Sequence, residues 1–386
     1  MKNLSLFPPA ATLEALPTPC YLYDTALLEE TLKVAQCEAA KYDYEIHYAV
    51  KANFNHRILQ QIAAHGLGAD CVSGGEIQAA LDAGFPAGKI VYAGVGKADW
   101  EMELALEKNI FCFNVESLAE LEALNELAGK RRQVAPVALR INPDIIANTH
   151  RHIITGFKEN KFGINLDLLD EVLNSLPALK NIALKGIHFH IGSQITDMEN
   201  FRSLCFRANE IQERLAGMGL LPEHVNLGGG LGIDYHAPEE KRIAGFATFF
   251  RLFDEHLKRY SQQHIHFELG RSLVGQCGTL LSRVLYVKKG SAKKFAIIDA
   301  GMTELIRPAL YEAYHKIENI TSGGGVEQYD VVGPVCESTD SFGKDVPLNK
   351  VSRNDLLVIY SAGAYGESMS SHYNCRQLRK PYFYGK

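Results

Sequence analysis

Lys51 stands in Tyr48-Ala49-Val50-Lys51-Ala52-Asn53, at the end of an apolar run. A lysine drawn into an apolar strand end loses hydration, which lowers its pKa, and a neutral amine there can form a Schiff base. It could instead lay its stem along the strand end and keep its ammonium in water. His188-Phe189-His190 sets two imidazoles on one strand face, because side-chain direction alternates with period two. Such a pair can hold zinc, with His47, Asp70 and His266 available to complete a shell. A flat imidazole can equally stack on a planar ring. Gly228-Gly229-Gly230-Leu231-Gly232 can converge backbone N–H groups on an anion, or can be a tight turn. It is not a dinucleotide fingerprint, because Ile233 occupies the position three after Gly230.

Glu268, in Phe267-Glu268-Leu269-Gly270-Arg271, is a carboxylate in an apolar run, able to keep a heteroaromatic ring nitrogen protonated. The following Arg271 can grip a phosphate or carboxylate through paired N–H groups. Arg307-Pro308 with Tyr311 offers a second carboxylate clamp, Cys336-Glu337 follows Gly333-Pro334, and Gly363-Ala364-Tyr365-Gly366 exposes a tyrosine on a turn.

Elements must bring these residues together. The apolar runs Glu45–Lys51, Gly68–Ser73, Lys89–Val95, Phe111–Val115, Val137–Asn142, Leu184–Ile191, His224–Gly228 and Ile265–Leu269 alternate with amphipathic stretches such as Gly75–Ala83, Ser117–Leu127, Leu166–Leu176 and Asn200–Met218. This rhythm predicts an α/β fold, a (β/α)8 barrel of the TIM type, closing near residue 270. In such a barrel chemistry gathers at the strands' C-terminal ends, and the polar residues follow the runs as that requires: Lys51, Asp70, Arg140, His190, Ser193, Gly228 and Glu268. After residue 270 the runs Thr279–Lys288, Lys293–Ile298, Tyr329–Cys336 and Asp355–Tyr360 with glycine-rich turns predict a mostly β domain. The expected division is 25–270 for the barrel, with 1–24 and 271–386 forming the β-rich domain.

The 386 residues are 46% hydrophobic and 22% charged, enough for a sizeable core. A formal net charge of -5 gives no electrostatic reason for a nucleic acid or anionic membrane partner. The cysteines include no Cys-x-x-Cys pair, which fits neither a zinc ribbon nor a redox motif and suits a reducing cytosol. Leu4–Leu13, interrupted by Pro8 and Pro9, is too broken for a signal peptide, and no run is long and apolar enough to span a membrane. A cytoplasmic protein is expected.

Taken in order, Tyr48–Asn53, Ser73-Gly74-Gly75-Glu76, Arg140-Ile141-Asn142-Pro143, His188–Ser193, Gly228–Gly230, Cys336-Glu337-Ser338 and Gly363–Gly366 resemble the fold-type III decarboxylases. These use pyridoxal 5'-phosphate (PLP), share the alanine-racemase-like architecture and include the ornithine, arginine and diaminopimelate enzymes. Gly156–Gly163 and Arg307-Pro308-Ala309-Leu310-Tyr311 point to the diaminopimelate branch. The resemblance runs from about Pro19 to Tyr373.

The resemblance implies roles. Lys51 would carry PLP as a Schiff base, His190 stack on its ring and Glu268 pair with its ring nitrogen. Ser193, Gly228, Gly229, Gly230, Gly270 and Arg271 would hold the phosphate, with Tyr365 nearby, and Asp70 and Arg140 would support the lysine. Arg271, Arg307, Tyr311 and Tyr365 would bind substrate, and Glu337 its far ammonium. Cys336 would donate the proton that replaces CO2. In this family Cys336 and Glu337 reach the partner's site, which implies a homodimer with shared active sites. The implied reaction converts meso-2,6-diaminopimelate to L-lysine and CO2, the last step of lysine biosynthesis, with no metal. Other readings are a decarboxylase for another basic amino acid, a non-enzymatic PLP-binding relative, and a zinc hydrolase built on His188 and His190.

Three places depart from the family pattern: Leu269 replaces the usual proline, Glu367 a usually uncharged residue, and Arg376–Pro381 the usual Arg-Pro-Arg-Pro run.

Overall fold

Short apolar runs separated by crossovers can bury both faces only if each strand finds parallel neighbours and helices cover the outside. The computed structural model, which describes residues 6–145 and 161–385, shows that solution. The motif residues Gly156–Asn160 lie outside the described residues. Tyr44–Ala49, Gly68–Cys71, Ile90–Tyr92, Cys112–Val115, Ala135–Arg140, Ile182–His188, His224–Asn226 and His264–Leu269 pair in that order, last to first, as a closed parallel barrel. They belong to a unit of residues 32–232 and 245–270.

Register decides which side chains meet. His47 pairs with Glu268 and Ala49 with Asp70, so the first strand stands between the two carboxylates. Asn226 pairs with both His188 and His266. The strand-to-helix turns are pinned by caps. Ser73 Oγ accepts from Glu76 N–H at 3.1 Å while the Glu76 carboxylate accepts from Val72 N–H at 2.8 Å. Ser117, Glu120 and Glu116 repeat the arrangement two barrel units later, after the fourth strand. Ser73-Gly74-Gly75-Glu76 thus has a local job of its own: it starts the helix Gly74–Asp82.

Two expectations about strand ends need correction. The first strand stops at Ala49, and Lys51 lies in the 3-10 turn Val50–Ala52. The sixth stops at His188, so period-two alternation no longer sets the direction of His190, and the shared strand face expected for the two histidines is not formed.

The strand carrying Glu268 is fixed from behind. Phe267 points outward, with ring centroids 4.9, 5.1 and 5.4 Å from Phe253, Phe250 and Phe249 of the helix Phe246–His256, and 5.3 Å from Tyr44. All three helix phenylalanines contribute edge-on contacts and are fully buried. Phe267→Ala should therefore destabilise the barrel by ~3–5 kcal/mol, since it removes a buried ring and leaves a cavity. The urea midpoint reads this directly. A loss under ~1 kcal/mol would show that the site collapses around the gap.

The second unit comprises residues 1–31, 233–244 and 271–386. Its sheet runs Ile317–Asn319, Leu356–Ile359, Gly278–Lys289, Lys294–Ile298, Val326–Val332, Ser341–Asn349. Cys20–Asp24 pairs antiparallel with Gly278–Leu281, and Tyr382–Tyr384 lies parallel beside it, so both ends of the described chain join this sheet. The predicted strand Tyr329–Cys336 is displaced: the strand is Val326–Val332, and Cys336 and Glu337 sit beyond it, exposed. Glu367 accepts a hydrogen bond from Tyr23 at 2.7 Å, which gives that departure an intramolecular partner. Leu269 is fully buried.

Candidate active site

At the C-terminal mouth of the barrel the closest set of polar groups is built round Glu268, a buried residue at the penultimate position of its strand. Its Oε1 accepts from Asn226 Nδ2 at 2.7 Å and Asn114 Nδ2 at 3.0 Å, and its Oε2 lies 2.9 Å from His188 Nε2. Burial pushes this carboxyl up, but His188, Lys51 and His190 outweigh burial and hold it well below the usual carboxylate range. Glu268 is thus a fixed negative charge held by side chains from three other strands. Asn226 also accepts the Gly228 N–H at 2.9 Å, tying the glycine run to the same network.

Lys51 Nζ is 3.3 Å from Asp70 Oδ2, and the lysine side chain is 38% exposed. The expectation of a lysine sunk in an apolar strand end is corrected. The 3-10 turn lifts it off the strand, and a buried carboxylate meets its amine. Burial, with Glu268 nearby, raises the Asp70 carboxyl although Lys51 opposes the shift. Asp70 Oδ1 and His188 Nδ1 are buried with no hydrogen-bond partner among the described residues. Unsatisfied polar atoms of this kind mark a site shaped for a further polar group.

His190 is neutral by its surroundings. Burial lowers its imidazole well below the usual value, with Arg140 and Lys51 adding to the effect, and its Nδ1 accepts a long 3.4 Å bond from Gly229 N–H. Gly228 and Gly230 have φ of +67° and +106°, and a Cβ on Gly229 would sit 1.9 Å from Glu268 O. Only glycine lets this turn press on the strand that carries Glu268. Two of its N–H groups bond inward to Asn226 and His190, so the anion nest inferred from sequence is narrower than three successive free amides. Arg140 Nη1 bonds Glu116 Oε1 at 2.7 Å, and Glu116 Oε2 accepts from Gly163 N–H at 3.0 Å. Ser193 is half-buried on the segment after the sixth strand.

The zinc reading of His188 and His190 is not met. His188 Nε2 is occupied by Glu268, and His47 and His266, the histidines expected to complete the shell, lie further from this mouth along their strands.

In the sheet unit a second polar cluster forms. Arg271 and Arg307 are both buried. Arg271 Nη1 donates to Tyr235 OH at 2.6 Å and its guanidinium lies 4.8 Å from the Tyr365 ring; Arg307 lies 4.9 Å from the Tyr235 ring. Arg307 Nη1 donates to His315 Nε2 at 2.7 Å, so His315 carries its proton on Nδ1, which donates to Tyr360 O at 2.8 Å. Arg307 makes no salt bridge among the described residues, and its Nε is buried without a partner there. A buried guanidinium with an unused N–H is a place for an anion. Tyr311, at the end of the helix Arg307–Tyr311, is half-buried. Sequence reasoning missed Tyr235 and His315, and gave Asn114 no role and Asn226 none at all.

Burial, with Arg307 beside it, pushes the His315 imidazole down to about 3. The unfolded chain, titrating near ~6.5, then binds the extra proton below that pH, so this histidine's contribution is complete above ~6.5 and is lost as pH falls towards 3. The slope is about 1.4 kcal/mol per pH unit in that window. Urea midpoints measured from pH 7.5 to pH 5 should show a shallower fall for His315→Gln than for the parent. Parallel slopes would place the acid sensitivity elsewhere.

The fold and both clusters define a class, and comparison with known proteins agrees. Residues 26–275 match the model of the pyridoxal-dependent decarboxylase, pyridoxal binding domain, and the chain belongs to the pyridoxal-dependent decarboxylases. The particular relatives are narrower in kind. The diaminopimelate decarboxylase of Bacteroides thetaiotaomicron is 58% identical over 97% of each chain. That of Neisseria meningitidis serogroup B is 42% identical over 94% of this chain and 87% of its own. The crystal structure of a variant Helicobacter pylori diaminopimelate decarboxylase complexed with L-lysine superposes with a TM-score of 0.90 at 38% identity, covering 95% of this chain and 92% of that one.

Proposed function

We propose that this chain decarboxylates meso-2,6-diaminopimelate to L-lysine with PLP as cofactor. The observation that carries the reading is Glu268: a buried, three-fold hydrogen-bonded carboxylate held ionised at the same barrel mouth as Lys51. The residues present fit the cofactor. The mouth offers an amine, a fixed anion, a neutral imidazole and unsatisfied buried atoms on Asp70 and His188.

PLP, when bound, supplies an aldehyde carbon for an amine and a cationic ring able to store the electron pair that a departing carboxylate leaves behind. The remaining work falls to side chains. Lys51 Nζ would hold the cofactor, and Asp70 keeps the lysine amine in position through the 3.3 Å contact. Glu268 would hold a proton on the ring nitrogen, because its own charge is locked by Asn114, Asn226 and His188. His190 offers an uncharged flat face. Ser193, Gly228, Gly229, Gly230, Gly270 and Arg271 take the phosphate, with Tyr365 against Arg271. Arg271, Arg307 and Tyr311 receive the far carboxylate, Glu337 the far ammonium, and Cys336 gives up the proton that replaces CO2.

Exposed Cys336 and Glu337 support a homodimer in which each chain completes its partner's site. Glu337 is oriented by Tyr373 OH at 2.7 Å. All eight cysteines are free, which supports a cytoplasmic setting, and no described helix is long and apolar enough to cross a membrane.

The test is CO2 release from meso-diaminopimelate, with lysine identified as product; no release with PLP bound would overturn the reading. The shared site has its own test. Mixing separately tagged Lys51→Ala and Cys336→Ala subunits, each inactive alone, should restore activity, because one hybrid site is intact. Proven subunit exchange with no recovery would place both groups on one chain.

A further inference from the structure

The histidines that the decarboxylation chemistry does not use converge at the other end of the barrel. His224 and His264 open the seventh and eighth strands, and His266 lies on the same face as Glu268, one layer further from the mouth. His47 Nε2 is 3.1 Å from His266 Nδ1, and His266 Nε2 is 2.9 Å from His224 Nδ1. Glu45 Oε2 is 4.0 Å from His266 Nδ1. Glu45, His47 and His266 each offer a ligand atom within 4.8 Å of the others. His47 and His266 are 2% exposed, whereas the Glu45 side chain is half exposed. A cavity of about 230 Å³ lined by Glu45, His47, Gly68 and Lys89 opens onto two of the three, Glu45 and His47.

We propose that this N-terminal mouth binds one divalent cation of the zinc class through His47 Nε2, His266 Nδ1 and the Glu45 carboxylate, with water in the fourth position. His47 is prepared as a ligand: its Nδ1–H donates to Lys89 O at 3.2 Å, which leaves the lone pair on Nε2 and supplies the outer partner that metal-bound imidazoles use. Two nitrogens each ~2.0–2.1 Å from one tetrahedral zinc stand ~3.3–3.4 Å apart. The observed 3.1 Å therefore asks for little movement.

Without metal a proton fills the gap. The Lys89 carbonyl sets the direction of the chain, so His266 Nδ1–H donates to His47 Nε2 and His224 Nδ1–H donates to His266 Nε2. With metal, His266 carries its proton on Nε2 and donates to His224 Nδ1, while His224 carries its proton on Nε2. Every imidazole stays neutral and no proton is released. Phe111, with ring centroids 5.0, 5.6 and 6.2 Å from His224, His266 and His47, gives the ligands an apolar wall. The nearby cations are already engaged, Lys89 with Gly66 O at 2.9 Å and Lys185 with Glu223 at 3.0 Å.

The test titrates Co²⁺ into PLP-loaded, chelator-treated protein and follows the visible bands of tetrahedral cobalt. About one equivalent per chain is expected. Glu45→Gln, at a half-exposed position, should weaken Kd at least ~10-fold while CO2 release is unchanged, and His266→Gln should abolish the bands. Fewer than ~0.1 equivalents bound, or an equal Kd for the parent and Glu45→Gln, overturns the proposal.

Discussion

Glu268→Gln should retain PLP and the fold while kcat for CO2 release falls ~10²–10³-fold, the usual cost of removing one preorganised charge contact from a buried site. The amide is close in shape to the carboxylate, and the surrounding donors accommodate it. Its oxygen can keep accepting from Asn114 and Asn226, and its NH2 can donate to His188 Nε2 once that imidazole carries its proton on Nδ1, which has no partner among the described residues. What is lost is the charge, and with it the proposed means of holding a proton on the cofactor's ring nitrogen. KM should change much less than kcat, because Glu268 is not among the residues assigned to the substrate's far end. An unchanged kcat in a variant that still binds PLP would reject the pairing.

How much of this was legible beforehand depends on what made each residue visible. The barrel was readable because its strands are short apolar runs with polar residues at their ends, and the runs around Lys51, His188 and Glu268 carried that signal. Ser341–Asn349 was missed because Gly343, Asp345 and Pro347 make it a poor strand by propensity; pairing with Val326–Val332 imposes the structure. The environment of Lys51 was also hidden. Whether a lysine meets lipid-like walls or a carboxylate depends on Ala49 pairing with Asp70, a register that no local spacing reveals. Asn114 and Asn226 were invisible as Glu268 partners for the same reason, since they lie on other strands and only closure brings them to one carboxylate. Tyr235 and His315 had no motif at all. They matter because they pack on Arg307, and packing partners distant in sequence leave no pattern in it.

The remaining large effect is expected at that arginine and concerns the choice of substrate. Diaminopimelate has a second amino-acid head, whereas lysine ends in an ammonium with no carboxylate. Arg307 is buried, has an Nε without a partner among the described residues and stands on Tyr235 beside Arg271, so the cluster presents cationic charge that a carboxylate would satisfy. Lysine would leave that charge unpaired, and an unpaired buried charge costs about 3–5 kcal/mol, a discrimination of ~10²–10³ or more in kcat/KM. Arg307→Ala should accordingly lower kcat/KM for meso-diaminopimelate ~10²–10³-fold and leave the already slow lysine reaction nearly unchanged, so that the preference narrows from one side only. His315→Gln is the finer test. A glutamine keeps an acceptor for Arg307 Nη1 and a donor for Tyr360 O, so the preference should shrink by ~10-fold or less, with KM moving more than kcat. If the unmodified enzyme turned over lysine and diaminopimelate with comparable kcat/KM, Arg307 would not be reading the far carboxylate, and the assignment of substrate would fall while that of the cofactor stood.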